Sequence, residues 1–267
     1  MVSFPPCKIN LGLQVLSRQQ DGYHSIATCF YPLPWTDILE ILPAETFAFS
    51  QTGLTIPGSG NDNLCISAYQ ILRKEFNLPH VRIHLHKIIP VGAGLGGGSS
   101  DAAHTLRTLN LIFKLRLTEQ QLMHYAAQLG SDVSFFIQDE ARLGRGRGNS
   151  LEPVALNLKG YFIRLFMPDF SISTAEAYST VVPKAPDMDI RSIVENSHHQ
   201  WKGELQNDFE LTLFKKYPVI QQIKNELYQS GATYASMSGS GASVFGIFEK
   251  EPPVFNYSLR ACWSGRL

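Results

Sequence analysis

The chain has 267 residues, enough to bury a full core in one large domain or two modest ones. Lysine plus arginine and aspartate plus glutamate each number 23, a formal charge of zero, which excludes a whole-molecule field for nucleic acid or an anionic membrane; any anion site must be local. The four cysteines, Cys7, Cys29, Cys65 and Cys262, form no C-x-x-C pair, which argues against a disulfide framework or a zinc site and for a reducing compartment.

In chain order, Met1 to Leu16 carries prolines and Lys8 where a signal peptide needs an apolar stretch, and no run reaches the ~18 apolar residues of a membrane span. A soluble, cytoplasmic protein is expected. Lys8 to Leu16 reads as a strand and Phe30 to Ile41 supplies more. Between them Asp21-Gly22 is a turn signal that should leave Tyr23 and His24 at or just beyond a bend. Residues 57–63 read as a loop, and Leu64, Ala68, Ile71 and Leu72 have helical spacing. Val81, Ile83 and Leu85 alternate with Arg82, His84 and His86, as in a half-buried strand.

That strand delivers the chain to Pro90-Val91-Gly92-Ala93-Gly94-Leu95-Gly96-Gly97-Gly98-Ser99-Ser100. Ala102, Leu106, Leu109 and Phe113 then fall on one face of a helix expected to begin near Ser99 or Ser100. Thr118 to Gln121 spells a capping box before a second helix, with Leu122, Ala126 and Leu129 inward and Gly130 as its stop. The run Gly144-Arg-Gly-Arg-Gly148 is either a solvated basic turn or an anion-steering one. A fresh apolar strand, Tyr161 to Phe166, places a lobe boundary near residue 150, giving lobes of 1–150 and 151–267. The second half reads strand, helix, a polar loop over 183–189, further helices through Tyr228, then the small-residue turn Met237-Ser-Gly-Ser-Gly-Ala-Ser and strand Val244 to Phe248.

Glycine populates positive φ and lets backbone N–H groups approach a ligand, and a helix start adds unpaired donors and the positive end of a dipole; the segment from Gly92 is therefore a phosphate cradle in sequence form. It is not a P-loop, because Gly98 stands where that pattern needs lysine. Gly92-x-Gly94-x-x-Gly97 satisfies the dinucleotide fingerprint, but Glu119, at the right distance for its acidic residue, opens a helix instead of closing a strand. On spacing alone Asp132, just past Gly130, reads as a helix N-cap, and Lys8 as an exposed strand lysine. Tyr178 reads equally as a core residue and as a ligand-facing ring. His84 and His86 share a strand face without a third ligand nearby, so no metal residue is assigned.

Taken together, Lys8-Ile-Asn10-Leu, Asp21-Gly-Tyr-His24, Pro90 to Ala103, Gly130-Ser-Asp132-Val and Met237 to Phe248 resemble the GHMP kinases over nearly the whole chain. The Asp-Gly-Tyr-His run at this distance from Lys8-Ile-Asn is most similar to the members acting on a cytidine-diphosphate-linked methylerythritol. The resemblance implies an α+β protein of two lobes, an N-terminal α/β lobe like the second domain of a ribosomal protein and a ferredoxin-like C-terminal lobe. It implies ATP as donor with Mg2+ held mainly by the nucleotide's phosphates, small-molecule partners only, and phosphorylation of the substrate's 2-hydroxyl in non-mevalonate isoprenoid synthesis. It assigns Asp132 as general base and Lys8 as its charge partner. Residues 90–100, with Asn63 and Lys87 near adenine, fall to ATP. Asn10, Tyr23, His24, Tyr178, Gly239 and Ser240 fall to the substrate. Two departures from the family pattern, Ser134 where proline is frequent and Ser238 opening the terminal turn, keep hydroxyl chemistry in place.

Overall fold

The computed structural model describes residues 1–56, 62–253 and 261–267; of the expected 57–63 loop, residues 57–61 lie outside the described residues. The chain packs as two compact units, each drawn from several stretches. One comprises Met1–Cys7, Trp35–Val91 and Gly96–Glu140; the other comprises Lys8–Pro34, Gly92–Leu95 and Ala141–Leu267. The sequence suggests a single division near residue 150. The observed units interleave because the long strands β2 (Pro6–Arg18) and β3 (His24–Thr36) each pass from one unit to the other within their own length, which no composition shift marks.

In the first unit, β1 (Val2–Ser3), β4 (Ile38–Pro43), β5 (Ala48–Gly53) and β6 (Val81–Lys87) form a sheet of order β1-β4-β6-β5. β6 pairs antiparallel with β4 and parallel with β5. Its alternation is as expected: Val81, Ile83 and Leu85 are fully buried. Helices α1 (Leu64–Phe76), α2 (Gly97–Ile112), α3 (Glu119–Leu129) and α4 (Phe135–Gln138) complete the unit. Thr118 and Gln121 form the capping box of α3. Ala102, Leu106 and Leu109 are the buried face of α2, each larger side chain contributing ~1.5–3 kcal/mol by leaving water.

Two boundaries differ from the sequence expectation. α2 starts at Gly97, two residues before Ser99, because Gly96 takes the left-handed conformation (φ 69°) and the helix begins once that residue is passed. Ser100 N–H closes the first turn onto Gly96 O at 3.0 Å. The poor helix propensity of Gly97 and Gly98 hides this start from a composition reading. α3 does end before Gly130, but that glycine is extended (φ 164°), so the stop is a straightening of the chain and not a left-handed cap.

The second unit holds two sheets. One has the order β2-β3-β7-β8, with β7 (Arg142–Gly146) and β8 (Ser150–Pro153) joined as a hairpin. The other contains β9 (Phe162–Met167), β10 (Tyr234–Met237), β11 (Val244–Phe248) and β12 (Ala261–Arg266) in the order β10-β11-β9-β12, all antiparallel. Numbering these four by sequence gives 2-3-1-4, the strand order of a ferredoxin-like sheet. Helices α5 (Thr174–Thr180), α6 (Ile190–Val194), α7 (Trp201–Glu204), α8 (Glu210–Lys216) and α9 (Pro218–Gln229) lie between β9 and β10. Ile220, Ile223 and Leu227 of α9 pack with Phe209, Leu213, Met237 and Val244 in one apolar cluster. Among the described residues no helix is long and apolar enough to cross a membrane.

Candidate active site

In the second unit, Lys8 lies on β2 with its side chain nearly buried (3% exposed). Its ammonium donates to Asn10 Oδ1 at 2.7 Å and to Gly94 O at 2.9 Å, and lies 5.4 Å from the ring centre of Phe30. Two residues along a strand share a face, so Lys8 and Asn10 meet. Asn10 in turn donates from Nδ2 to Thr28 Oγ1 at 2.9 Å, and Thr28 donates to Gly12 O at 2.6 Å. The expected exposed lysine is therefore a buried cation fixed by acceptors on two different stretches of chain.

Ser238 completes this network. Its hydroxyl donates to Gly94 O at 3.0 Å and accepts from the Asn10 backbone N–H at 3.3 Å. Lys8 N–H also donates to Leu95 O at 2.9 Å. Gly92, Gly94 and Gly96 all take positive φ. At Gly94 the requirement is steric as well, since a Cβ there would sit 2.2 Å from Ser238 O. A Cβ on Gly239 would come within 3.2 Å of Asn10 Oδ1. The lysine strand, the crest of the glycine segment and the terminal small-residue turn thus meet in one hydrogen-bonded cluster.

The turn is held from behind by residues the sequence reading passed over. Asn207 Nδ2 donates to both Met237 O and Gly239 O, each at 2.9 Å. Glu210 Oε1 accepts Met237 N–H at 2.8 Å and the Ser236 hydroxyl at 3.1 Å, while its Oε2 accepts Lys224 Nζ at 2.6 Å. Both side chains are buried, which is tolerable only because they are paired. The available signal was Asn207-Asp208 and Glu210 set among Leu205, Phe209 and Leu213, polar groups inside an apolar helical pattern.

His24 and Tyr178 are brought together in the same unit. Their rings stack with centroids 4.8 Å apart, and Phe209 meets Tyr178 edge-on at 4.9 Å. Tyr178 thus packs on the apolar cluster around Phe209 and stacks on His24. Burial first, then the Arg18 charge, holds the His24 imidazole below its ordinary range and favours its neutral form. Tyr23 is largely exposed and lies under the Arg147 guanidinium, 3.9 Å from its ring centre. Arg147 also pairs with Asp21, whose carboxylate accepts the Tyr23 N–H at 3.0 Å. Arg145 pairs with Asp189 at 2.8 Å, so both arginines of the basic turn are committed to carboxylates. Ser240 Oγ is 3.4 Å from Thr174 Oγ1.

In the first unit, Asp132 lies half-buried in the turn between α3 and α4, and Ser131 Oγ donates to its Oδ1 at 3.5 Å. It is not a helix cap; the N-cap position of α4 falls to Ser134. Ser100 is fully buried with its hydroxyl unpartnered, whereas a Cβ on Gly98 would meet nothing within 4 Å, leaving space beside the first turn of α2. The side chains of Asn63 and Lys87, which the resemblance places near adenine, also have partners within the protein. Asn63 Oδ1 caps α1 by accepting Cys65 N–H at 2.9 Å. Lys87 is 1% exposed and its ammonium is shared by Asp37 and Asp101. His84 bonds Ser50 and Thr52, and among the described residues no group of three or more His, Cys, Asp or Glu could hold a metal ion.

Comparison with known proteins agrees with this geometry. Residues 63–140 match the model for the GHMP kinases N terminal domain and residues 189–256 the GHMP kinases C terminal model. The 4-diphosphocytidyl-2-C-methyl-D-erythritol kinase of Cytophaga hutchinsonii is 48% identical over 96% of this chain and 95% of its own length. The Bacteroides fragilis protein of the same name is 46% identical over 98% of this chain and 97% of its own. A crystal structure of 4-(cytidine 5'-diphospho)-2C-methyl-D-erythritol kinase, 33% identical, superposes with a TM-score of 0.81 and covers 92% of this chain and 90% of that one. Mevalonate kinase of Methanococcus jannaschii, at 14% identity and a TM-score of 0.70, shares the fold. On matches of this identity and extent, the chain belongs to the GHMP kinases, in the family of the 4-diphosphocytidyl-2-C-methyl-D-erythritol kinases.

Proposed function

We propose that this protein is a cytoplasmic enzyme that transfers the γ-phosphoryl group of ATP to the 2-hydroxyl of 4-diphosphocytidyl-2-C-methyl-D-erythritol, in non-mevalonate isoprenoid precursor synthesis. The observation that carries the reading is the cluster of Lys8, Asn10, Gly94 and Ser238, which ties the ammonium to the glycine segment itself. Phosphoryl transfer needs positioning and charge stabilisation more than covalent chemistry, and a lysine whose ammonium bonds the crest of a phosphate cradle supplies both.

Residues 90–100 hold the donor's phosphates through backbone N–H groups, left-handed glycines and the start of α2. The open space at Gly98 fits such an occupant. Mg2+ bound to the nucleotide's phosphates would neutralise their charge during the transfer. Asp132 accepts the hydroxyl's proton as the substrate oxygen attacks phosphorus and ADP departs. Lys8 offsets the negative charge of the transfer and, through Asn10, orients the acceptor. Asn63, at the cap of α1, and Lys87, in the ion cluster that ties β6 to α2, border the adenine end of the donor site.

Tyr178 and His24 receive the cytosine, one by stacking and the other, neutral, by hydrogen bonding its polar edge; Tyr23, Gly239 and Ser240 line the remainder of the acceptor site. Tyr178→Ala is expected to raise KM for the cytidylyl alcohol roughly 5- to 100-fold, the worth of one base stack, and to leave KM for ATP within about twofold. Cytidine diphosphate should compete with the alcohol in the parent enzyme and much less in the variant. Equal KM values and no competition would reassign Tyr178 to the core and point to an acceptor without a base.

A further inference from the structure

Lys87, Asp37 and Asp101 form a buried ionic cluster that the chemistry above leaves unused, and it joins the two ends of the glycine segment. Lys87 ends β6; its Nζ donates to Asp37 Oδ2 and, at 2.7 Å, to Asp101 Oδ2. All three side chains are at most 2% exposed. Asp37 Oδ1 accepts the amides of Ile88 at 2.6 Å and Ile89 at 2.8 Å, the two residues that lead into Pro90. Asp101 lies in α2, about one 5.4 Å turn past the helix start at Gly97. One ammonium therefore clamps the strand leading into the segment to the helix leading out of it.

Two carboxyl groups face that single ammonium, and the hydrogen bonds distinguish them. Asp37 has donors on both oxygens, whereas Asp101 Oδ1 is buried without a partner. An ionised oxygen stripped of water and given no donor is costly, so the environment of Oδ1 favours the protonated form of Asp101 over that of Asp37. The groups facing Asp101 are the Lys87 ammonium on β6, the Asp37 carboxylate ahead of β4 and the Cys65 thiol on α1, which burial and then Asp101 push far upward and keep neutral. Burial, opposed by Lys87 and helped by Asp37, lifts the Asp101 carboxyl to about 7.

Taking the glycine segment as the ATP site, as argued above, we propose that Asp101 is a proton-dependent positioning residue for the nucleotide: protonated, it leaves the first turn of α2 without buried negative charge and favours the polyphosphate, and ionised it opposes binding. Nucleotide affinity should fall as pH rises through the titration. The bound phosphates in turn favour the protonated carboxyl, so binding should take up a proton.

The test is calorimetric titration of the full chain with a non-hydrolysable ATP analogue and magnesium at pH 6 and 8, and at pH 7 in buffers of different ionisation enthalpy. Asp101→Asn, which keeps an acceptor for Lys87 and cannot ionise, is compared throughout, so that the analogue's own titration cancels. Between pH 6 and 8 the parent's affinity should fall roughly three- to tenfold more than the variant's, the effect of a unit charge a helical turn away. The parent should also take up a fraction of a proton that the variant does not. Equal pH slopes and equal proton uptake would overturn the proposal. Should the variant fail to fold, carbon-13 NMR of the aspartate-labelled parent decides: a carboxyl titrating near neutrality that moves upward with analogue supports the proposal, and its absence sinks it. Failure of both proteins to bind analogue at any pH would remove the nucleotide reading of the segment, and this proposal with it.

Discussion

Asp132→Asn is expected to bind ATP with nearly unchanged affinity while kcat falls roughly 10²- to 10⁴-fold, the range for losing a general base. The substitution is isosteric; it removes the negative charge together with the capacity to take a proton. Asp132 occupies a turn, not the cap of α4, so the carboxamide should cost little stability. Calorimetric ATP binding with steady-state rates separates the two effects, because an interaction made only in the transition state lowers kcat and kcat/KM together. An unchanged kcat would confine Asp132 to shaping the turn before α4.

Gly94→Ala should lower kcat/KM by about 100-fold or more and destabilise the protein by ~2–4 kcal/mol, for two reasons that reinforce each other. The residue sits at φ 75°, where a side chain is strained, and its Cβ would lie 2.2 Å from Ser238 O and 3.2 Å from Gly241 O. Those neighbours are backbone, so the segment itself must move. Its carbonyl is the acceptor shared by Lys8 Nζ and Ser238 Oγ, so the displacement releases both. Gly98→Ala is the control for stability: that glycine is inside α2 and a Cβ there meets nothing, so its midpoint in denaturant should hold or rise. Equal stability losses at the two positions would contradict the packing described for Gly94.

Residues whose roles follow from local pattern were legible in the sequence. The alternation of β6, the capping box of α3 and the left-handed glycines from Gly92 each follow from spacing or from the conformational demands of glycine. What spacing could not convey is partnership across the chain. Nothing near Asn207 says that its carboxamide holds the carbonyls of Met237 and Gly239, thirty-odd residues later. Nothing beside Lys87 names Asp37, fifty residues earlier, as its counter-ion. For Asn63 the sequence reading did not foresee that its carboxamide oxygen caps the first turn of its own helix. Asp132 is the converse, a residue whose spacing favours a cap and whose structure gives that position to Ser134.

The direct test is a product assay. Purified protein with ATP, magnesium and 4-diphosphocytidyl-2-C-methyl-D-erythritol, followed by phosphorus NMR, should yield one ADP for each new phosphomonoester on the 2-hydroxyl, with homoserine and mevalonate giving none. Phosphorylation of either of those acceptors, with no ADP formed from the cytidylyl alcohol at any pH where the protein is folded, would contradict the proposed activity.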